Sequence, residues 1–110
     1  MVVTVQGFEL ETTEEGFLVH LDDWNETVAE QLAAMNMISL TPEHWEIIDF
    51  MRNYYLKYKH LPNARVFTKA LAKELGVHKG NSRYLHKLFP KGPLKYACKL
   101  AGLAKPPTCL

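Results

Sequence analysis

Residues 1–50 contain no lysine or arginine, and residues 51–110 contain a single acid, Glu74. Eleven acids fill the first half and all thirteen Lys and Arg the second, so the halves carry −11 and +12 within a chain of net charge +1. Such asymmetry points to nucleic acid or an acidic partner for the second half, or, within one domain, to two halves that face each other. Long apolar runs are missing too. Nothing approaches the roughly 18 apolar residues of a membrane span, and Met1–Gln6 has no basic n-region, so neither a membrane protein nor a secretory leader is expected and the expected compartment is the cytoplasm. Cysteine is scarce, with only Cys98 and Cys109; in a reducing compartment a purely structural disulfide is not expected. There is no Cys-x-x-Cys, Cys-x-x-Cys-His or His-Glu-x-x-His, and the five histidines lack ligand spacing. No metal, haem or other cofactor is expected. Absence of a Gly-rich phosphate loop, of Gly-x-Ser-x-Gly and of internal repeats excludes phosphate-loop nucleotide binding, the nucleophile elbow and solenoid architectures.

What is present suits one globular domain. With 110 residues, 47% apolar and 23% charged, the chain can fill one hydrophobic core. Val3–Gln6 and Phe8–Thr12 alternate around Gly7 and predict a β-hairpin, with a second turn at Glu15-Gly16 and a short extended piece at Phe17–Val19. Helices follow. Asp22, Asp23 or Asn25 can cap one through about Asn36, with Val28, Leu32 and Met35 inward. Thr41-Pro42-Glu43 opens another that runs to about Lys59 and is apolar on so many sides that it is expected to be the most buried. Asn63 caps Ala64–Leu75, with Val66, Phe67, Ala70 and Leu71 toward the core and Gly76 at the end. Arg83–Phe89 and Leu94 to about Ala101 complete the set, stopped by Pro90 and Gly102. The expected fold is mainly α: about five helices with an N-terminal hairpin as one domain over 1–102, and a flexible cysteine-bearing arm over 103–110, which its adjacent prolines keep from being helical.

The arm carries the candidate chemistry. Cys109 is next to last, in a region where exposure is the rule, whereas cysteine is otherwise among the most buried residues. A thiol on an arm reaching roughly 20–25 Å could enter a partner's cleft. Lys105 favours its thiolate and the Leu110 carboxylate opposes it. Cys98, beside Ala97 and Ala101, reads alone as a small core residue; paired with Cys109 it reads as the resident thiol that resolves a sulfur adduct on the mobile one. Lys91, Lys95, Lys99 and Lys105 surround the arm in sequence and suit a thiolate, a persulfide or a sulfur oxyanion better than they suit DNA.

Pro42-Glu43-His44-Trp45, Lys79-Gly80-Asn81-Ser82-x-Tyr84-Leu85, Leu88-Phe89-Pro90-x-Gly92-Pro93 and Ala97-Cys98-x-x-Ala101-Gly102-Leu103-x-Lys105-Pro106-x-x-Cys109 together resemble the DsrC/TusE family over nearly the whole chain. The resemblance implies a sulfur carrier rather than a stand-alone enzyme, holding sulfur as a persulfide on Cys109. It implies one of two settings: DsrC-type service to dissimilatory sulfite reductase, with a trisulfide or disulfide between Cys98 and Cys109, or TusE-like relay from a TusBCD-like complex toward 2-thiouridine in tRNA. Cys98 points to the first; Ala104 and Pro107-Thr108 depart from the DsrC-type ending, and the run Lys79-Gly80-Asn81-Ser82-Arg83-Tyr84-Leu85 and the terminal Cys-Leu look nearer the second. The implied partners are proteins, with only indirect nucleic-acid contact, no membrane and a monomeric carrier. Arg65, where relatives also carry Arg, is a weaker candidate with Lys105 for holding the anion or the arm, or else forms a surface ion pair with the acidic half. A reading of another class makes Ala64–Leu75 and Arg83–Phe89 a helix-turn-helix that meets DNA through Arg83, His86 and Lys87, although the turn exceeds the usual 3–4 residues. A third is a redox switch in which a Cys98–Cys109 bond retracts the arm.

Overall fold

The computed structural model describes residues 1–107. It begins with the expected hairpin: β1 (Val2–Val5) and β2 (Phe8–Glu11) pair antiparallel with Val3 opposite Leu10 and Val5 opposite Phe8. Gln6 and Gly7 form the two-residue turn, both with positive φ (49° and 83°), the twist that matches two right-twisted strands. Val3 and Val5 point into the core while Val2 and Thr4 face out, so the period-2 pattern fixes which face is buried. Leu18 bridges back to Thr12, and Phe17 and Leu18 are buried beneath the hairpin.

Five helices follow: α1 (Glu26–Met35), α2 (Pro42–Tyr58), α3 (Ala64–Leu75), α4 (Ser82–Leu88) and α5 (Pro93–Leu100). Three asparagines start three of them. Asn25, Asn63 and Asn81 each accept a 2.9 Å hydrogen bond from the amide three residues on, at Val28, Val66 and Tyr84. Asp22 and Asp23, the alternative caps, lie instead in a 3₁₀ turn, Leu21–Asp23. Helix α2 starts with Pro42 and a capping box in which His44 takes the place usually held by Glu or Gln. The His44 Nδ1 lies 3.1 Å from the Thr41 amide and 2.8 Å from its hydroxyl, and Nε2 lies 2.8 Å from the Leu88 carbonyl. A carbonyl only accepts, so Nε2 carries the proton and one buried imidazole ties the start of α2 to the end of α4.

The core sits around α5, which packs on α1, α2 and α4. Six of its eight residues are buried, including Lys99. This corrects the expectation that α2 would be the most buried helix. α2 buries only the stripe His44, Ile47, Ile48 and Met51. Its aromatic residues instead line a half-exposed ladder, with Phe50–Tyr54 centroids at 6.1 Å and Tyr54–Tyr58 at 4.7 Å. Tyr carries a hydroxyl that water can satisfy, so a Tyr-rich face tolerates solvent where an aliphatic one would not. Two further core assignments fail. Met35 is 56% and Val66 41% exposed, and Ala29 and Ala33 fill the α1 contact in place of Met35. Helix α1 meets α5 closely enough that small side chains win the interface.

Candidate functional site

The site is built where α5 hands over to the tail. Gly102 has φ +73°, the left-handed conformation that glycine adopts without a Cβ penalty. The Leu103 amide bonds the Cys98 carbonyl at 3.0 Å and the Gly102 amide bonds that of Lys99 at 3.2 Å. These two bonds form a Schellman motif, which satisfies carbonyls that would otherwise be orphaned. Two carbonyls remain, and distant side chains take them. Trp24 donates its indole N–H to Leu100 at 2.7 Å, and Arg52 donates from Nη1 to Ala101 at 2.8 Å. The guanidinium lies 3.9 Å from the Trp24 ring centroid, a cation–π contact that joins the two donors. A Cβ on Gly102 would lie 2.5 Å from the indole, so Trp24 and the glycine are matched surfaces. Leu103 is buried, and the chain is aimed before the tail begins.

The described part of the tail lies on the body. Pro106 is buried, Ala104 and Pro107 are exposed, and the Lys105 Nζ meets Glu15 Oε2 at 2.8 Å. Glu15 Oε1 lies 3.8 Å from Lys95. The hydrogen bond from Lys105 is the first cause holding the Glu15 carboxyl below its usual range. Lys99 stands behind this pair, 5% exposed, with its ammonium 4.8 Å from the Tyr96 and 5.2 Å from the Phe17 ring centroids. Burial lowers its pKa, Lys95 lowers it further, and Glu15 opposes both.

The sequence-predicted residues divide sharply. Lys105 is at the root of the tail, as its position in sequence suggests. Cys98 is fully buried among the core residues of α5, and burial pushes its thiol up to about 12, so it stays protonated at neutral pH. Cys109, and with it the tip of the expected arm, lies outside the described residues. The attacking-and-resolving pair is therefore not assembled among them. Arg65 is exposed on the first turn of α3, and its guanidinium makes no hydrogen bond or ion pair among the described residues. The turn between α3 and α4 spans six residues, 76–81, and α4 has seven residues, a poor frame for a groove-reading helix. Sequence reasoning missed Trp24, Arg52 and Glu15. The first two contact carbonyls 76 and 49 positions away, a separation that no local spacing betrays.

The described residues build a small helical body that caps its last helix from two distant side chains and fastens the root of the tail that follows. Comparison with known proteins identifies the family. Residues 4–110 match the family model described as DsrC-like protein. The sulfurtransferase TusE homolog of Haemophilus influenzae is 49% identical, covering 99% of this chain and all of the relative. Sulfurtransferase TusE of Escherichia coli K12 is also 49% identical, over 96% of each chain. Among solved structures, DsrC of Allochromatium vinosum is 48% identical with a TM-score of 0.90 and full coverage of both chains. The oxidized gamma-subunit of dissimilatory sulfite reductase from Archaeoglobus fulgidus is 42% identical with a TM-score of 0.87, again with full coverage. The chain belongs to the DsrC-like family, and its role is that of a sulfur-relay protein that works with protein partners.

Proposed function

We propose that this protein receives sulfur on Cys109 as a persulfide and passes it to a partner protein in a TusE-like relay in the cytoplasm, with Cys98 remaining in the core. The observation that carries the reading is the burial of Cys98 with its thiol raised to about 12. A two-cysteine route needs Cys98 as a thiolate near Cys109, and burial of this thiol opposes both. A one-cysteine route needs nothing from it. The Cys109 thiolate attacks the outer sulfur of a donor persulfide, the donor's S–S bond breaks, and the donor leaves as a thiolate. Cys109 then holds the outer sulfur as a persulfide anion, and an acceptor thiolate repeats the attack on it. No electrons are gained or lost overall, so no cofactor is called for. In the relay reading the donor is a TusBCD-like complex and the acceptor a tRNA-thiolating enzyme, so nucleic acid is met only through that partner. The alternative DsrC-type setting, with dissimilatory sulfite reductase and a Cys98–Cys109 bond, draws its support from the presence of Cys98 and from the DsrC structural neighbours.

Incubation with a sulfane-sulfur donor, followed by intact-mass and peptide analysis, tests the proposal. The parent chain and Cys98→Ala gain the mass of one sulfur on Cys109 at equal rates, and Cys109→Ser gains none. Equal loading of Cys109→Ser would sink the carrier role assigned to that thiol. Loss of onward transfer in Cys98→Ala alone would favour the two-cysteine route.

A further inference from the structure

Arg65 and Arg83 stand where they do nothing for their helices. Each is on a first turn, of α3 and α4 respectively, where the helix dipole disfavours a cation. Helices α1 and α2, by contrast, carry Glu26 and Glu43 there. Both arginines are exposed. The residue before each, Ala64 and Ser82, lines a groove of about 510 Å³ between α3, α4 and the start of α5. Lys91 lines it too and is exposed. No acid lines this groove. Glu74, the single acid of residues 51–110, lines a second groove, on the α2 side of α3, with Glu46 and Asp49. Six of the eleven residues lining the first groove are apolar, and Phe67, Leu85 and Leu94 are its buried ones. Thr68 and His86 on its walls bond the backbone of their own helices, at the Ala64 and Ser82 carbonyls. The result is a carbon-floored slot with a cationic rim.

We propose that this groove docks an acidic, amphipathic segment of a partner protein, whose carboxylates meet Arg65, Arg83 and Lys91 and whose aliphatic side chains meet the floor. Charge complementarity selects an acidic occupant. Arginine suits the task, because its planar, weakly hydrated fork pairs with a carboxylate through two hydrogen bonds. The floor selects a polypeptide over a nucleic acid. No exposed Phe, Tyr or Trp lines the groove, so a base has no ring to stack on. Helix α4, with seven residues, is too short to read a duplex groove. An amphipathic segment, with carboxylates on one side and aliphatic anchors on the other, satisfies rim and floor together. Helix α5 begins at this groove and ends at the tail, eight residues or about 12 Å further on. A partner held at the start of α5 therefore lies beside the tail without occupying it. The proposal rests on the relay reading only for the existence of a protein partner; the groove and its rim do not depend on it.

The test is titration of the full chain, carrying no sulfur, into a fluorescein-labelled peptide of about 15 residues built of glutamate and alanine with leucines along one helical face. Because the chain is unloaded, the result stands apart from whether Cys109 takes up sulfur. The expected outcome is saturable binding at low salt, with amide NMR shifts at Thr68, Ser82, His86 and Lys91. Arg65→Glu and Arg83→Glu each weaken it about 10-fold or more, since a like charge then faces the probe. Both variants place an acid in a first turn, which suits the helix and preserves the fold. Lys57→Glu makes the same change of net charge at the far end of α2 and alters binding by less than about 2-fold. Alanine in place of the probe's leucines weakens binding about 5-fold through loss of the floor contact. Absence of saturable binding, equal weakening by Lys57→Glu, or indifference to the leucines would overturn the proposal. Tighter binding of oligouridine or of a DNA duplex than of the peptide, lost in the same two arginine variants, would overturn it in favour of a nucleic-acid surface.

Discussion

At the scale of single residues, the buried thiol makes a prediction about pH. Cys98 rises from its ordinary 9.0 to about 12 in the folded chain because burial disfavours the thiolate. For this acid the native state keeps its proton where the unfolded state has lost it. The contribution to stability is therefore fully present below pH 9 and declines as pH rises from there toward 12. Urea unfolding of the parent and of Cys98→Ala, run in parallel from pH 7 to pH 11, isolates the effect of this thiol, since every other side chain is common to both. The parent should lose about 1 kcal/mol per pH unit more than the variant above pH 9. Parallel curves would mean that the thiol ionises in place and that α5 does not shield it. The same burial explains why this residue resisted sequence reading. Its neighbours Ala97 and Ala101 suggested a core position, yet only the packing of α1 and α2 on α5 decides that the thiol has no route to solvent.

At the scale of elements, the end of α5 is a joint assembled from four places: the helix itself, Gly102, Trp24 before α1, and Arg52 on α2. Gly102→Ala should be costly for two separate reasons. A non-glycine residue at φ +73° carries about 1 kcal/mol or more of backbone strain, and its methyl would strike the indole. A loss of at least about 2 kcal/mol in chemical unfolding is expected, larger than that of Arg52→Lys, which keeps the charge and one donor. If Gly102→Ala proved neutral, the indole would not be held against the turn. How much of this was legible is clear from the parts. Gly102 as the helix stop followed from glycine's place after a periodic run, and Asn25, Asn63 and Asn81 could be located as caps or turns because capping is local chemistry. The hairpin and all five helices followed from periodicity for the same reason. Trp24 and Arg52 were not legible as partners of α5, because tertiary capping depends on where two chain segments cross. Met35 and Val66 were misplaced because a stripe tells which face is apolar, not how wide the facing element is.

At the scale of the whole molecule, the question is what the −11 and +12 halves do to each other. Three ion pairs cross the divide among the described residues, Glu46–Lys79 at 2.6 Å, Glu15–Lys105 at 2.8 Å and Glu15–Lys95 at 3.8 Å. The halves are joined instead by apolar packing, with Val3, Val5, Phe17, Val28 and Leu32 in one cluster with Leu94, Cys98 and Leu100. Exposed ion pairs contribute roughly 0–1 kcal/mol each and salt screens them, whereas burial of apolar surface is insensitive to moderate sodium chloride. Stability should therefore change by less than about 1 kcal/mol between 0.02 and 0.5 M salt. Unfolding should also be a single transition, with tryptophan fluorescence and helical circular dichroism coinciding, because Trp24 and Trp45 both pack against the common core. A loss of several kcal/mol on adding salt would show that charge complementarity holds the halves together after all. A salt-insensitive fold would instead leave the asymmetry its other use. The positive field of the second half would then act at long range on an acidic partner surface, without the fold depending on it.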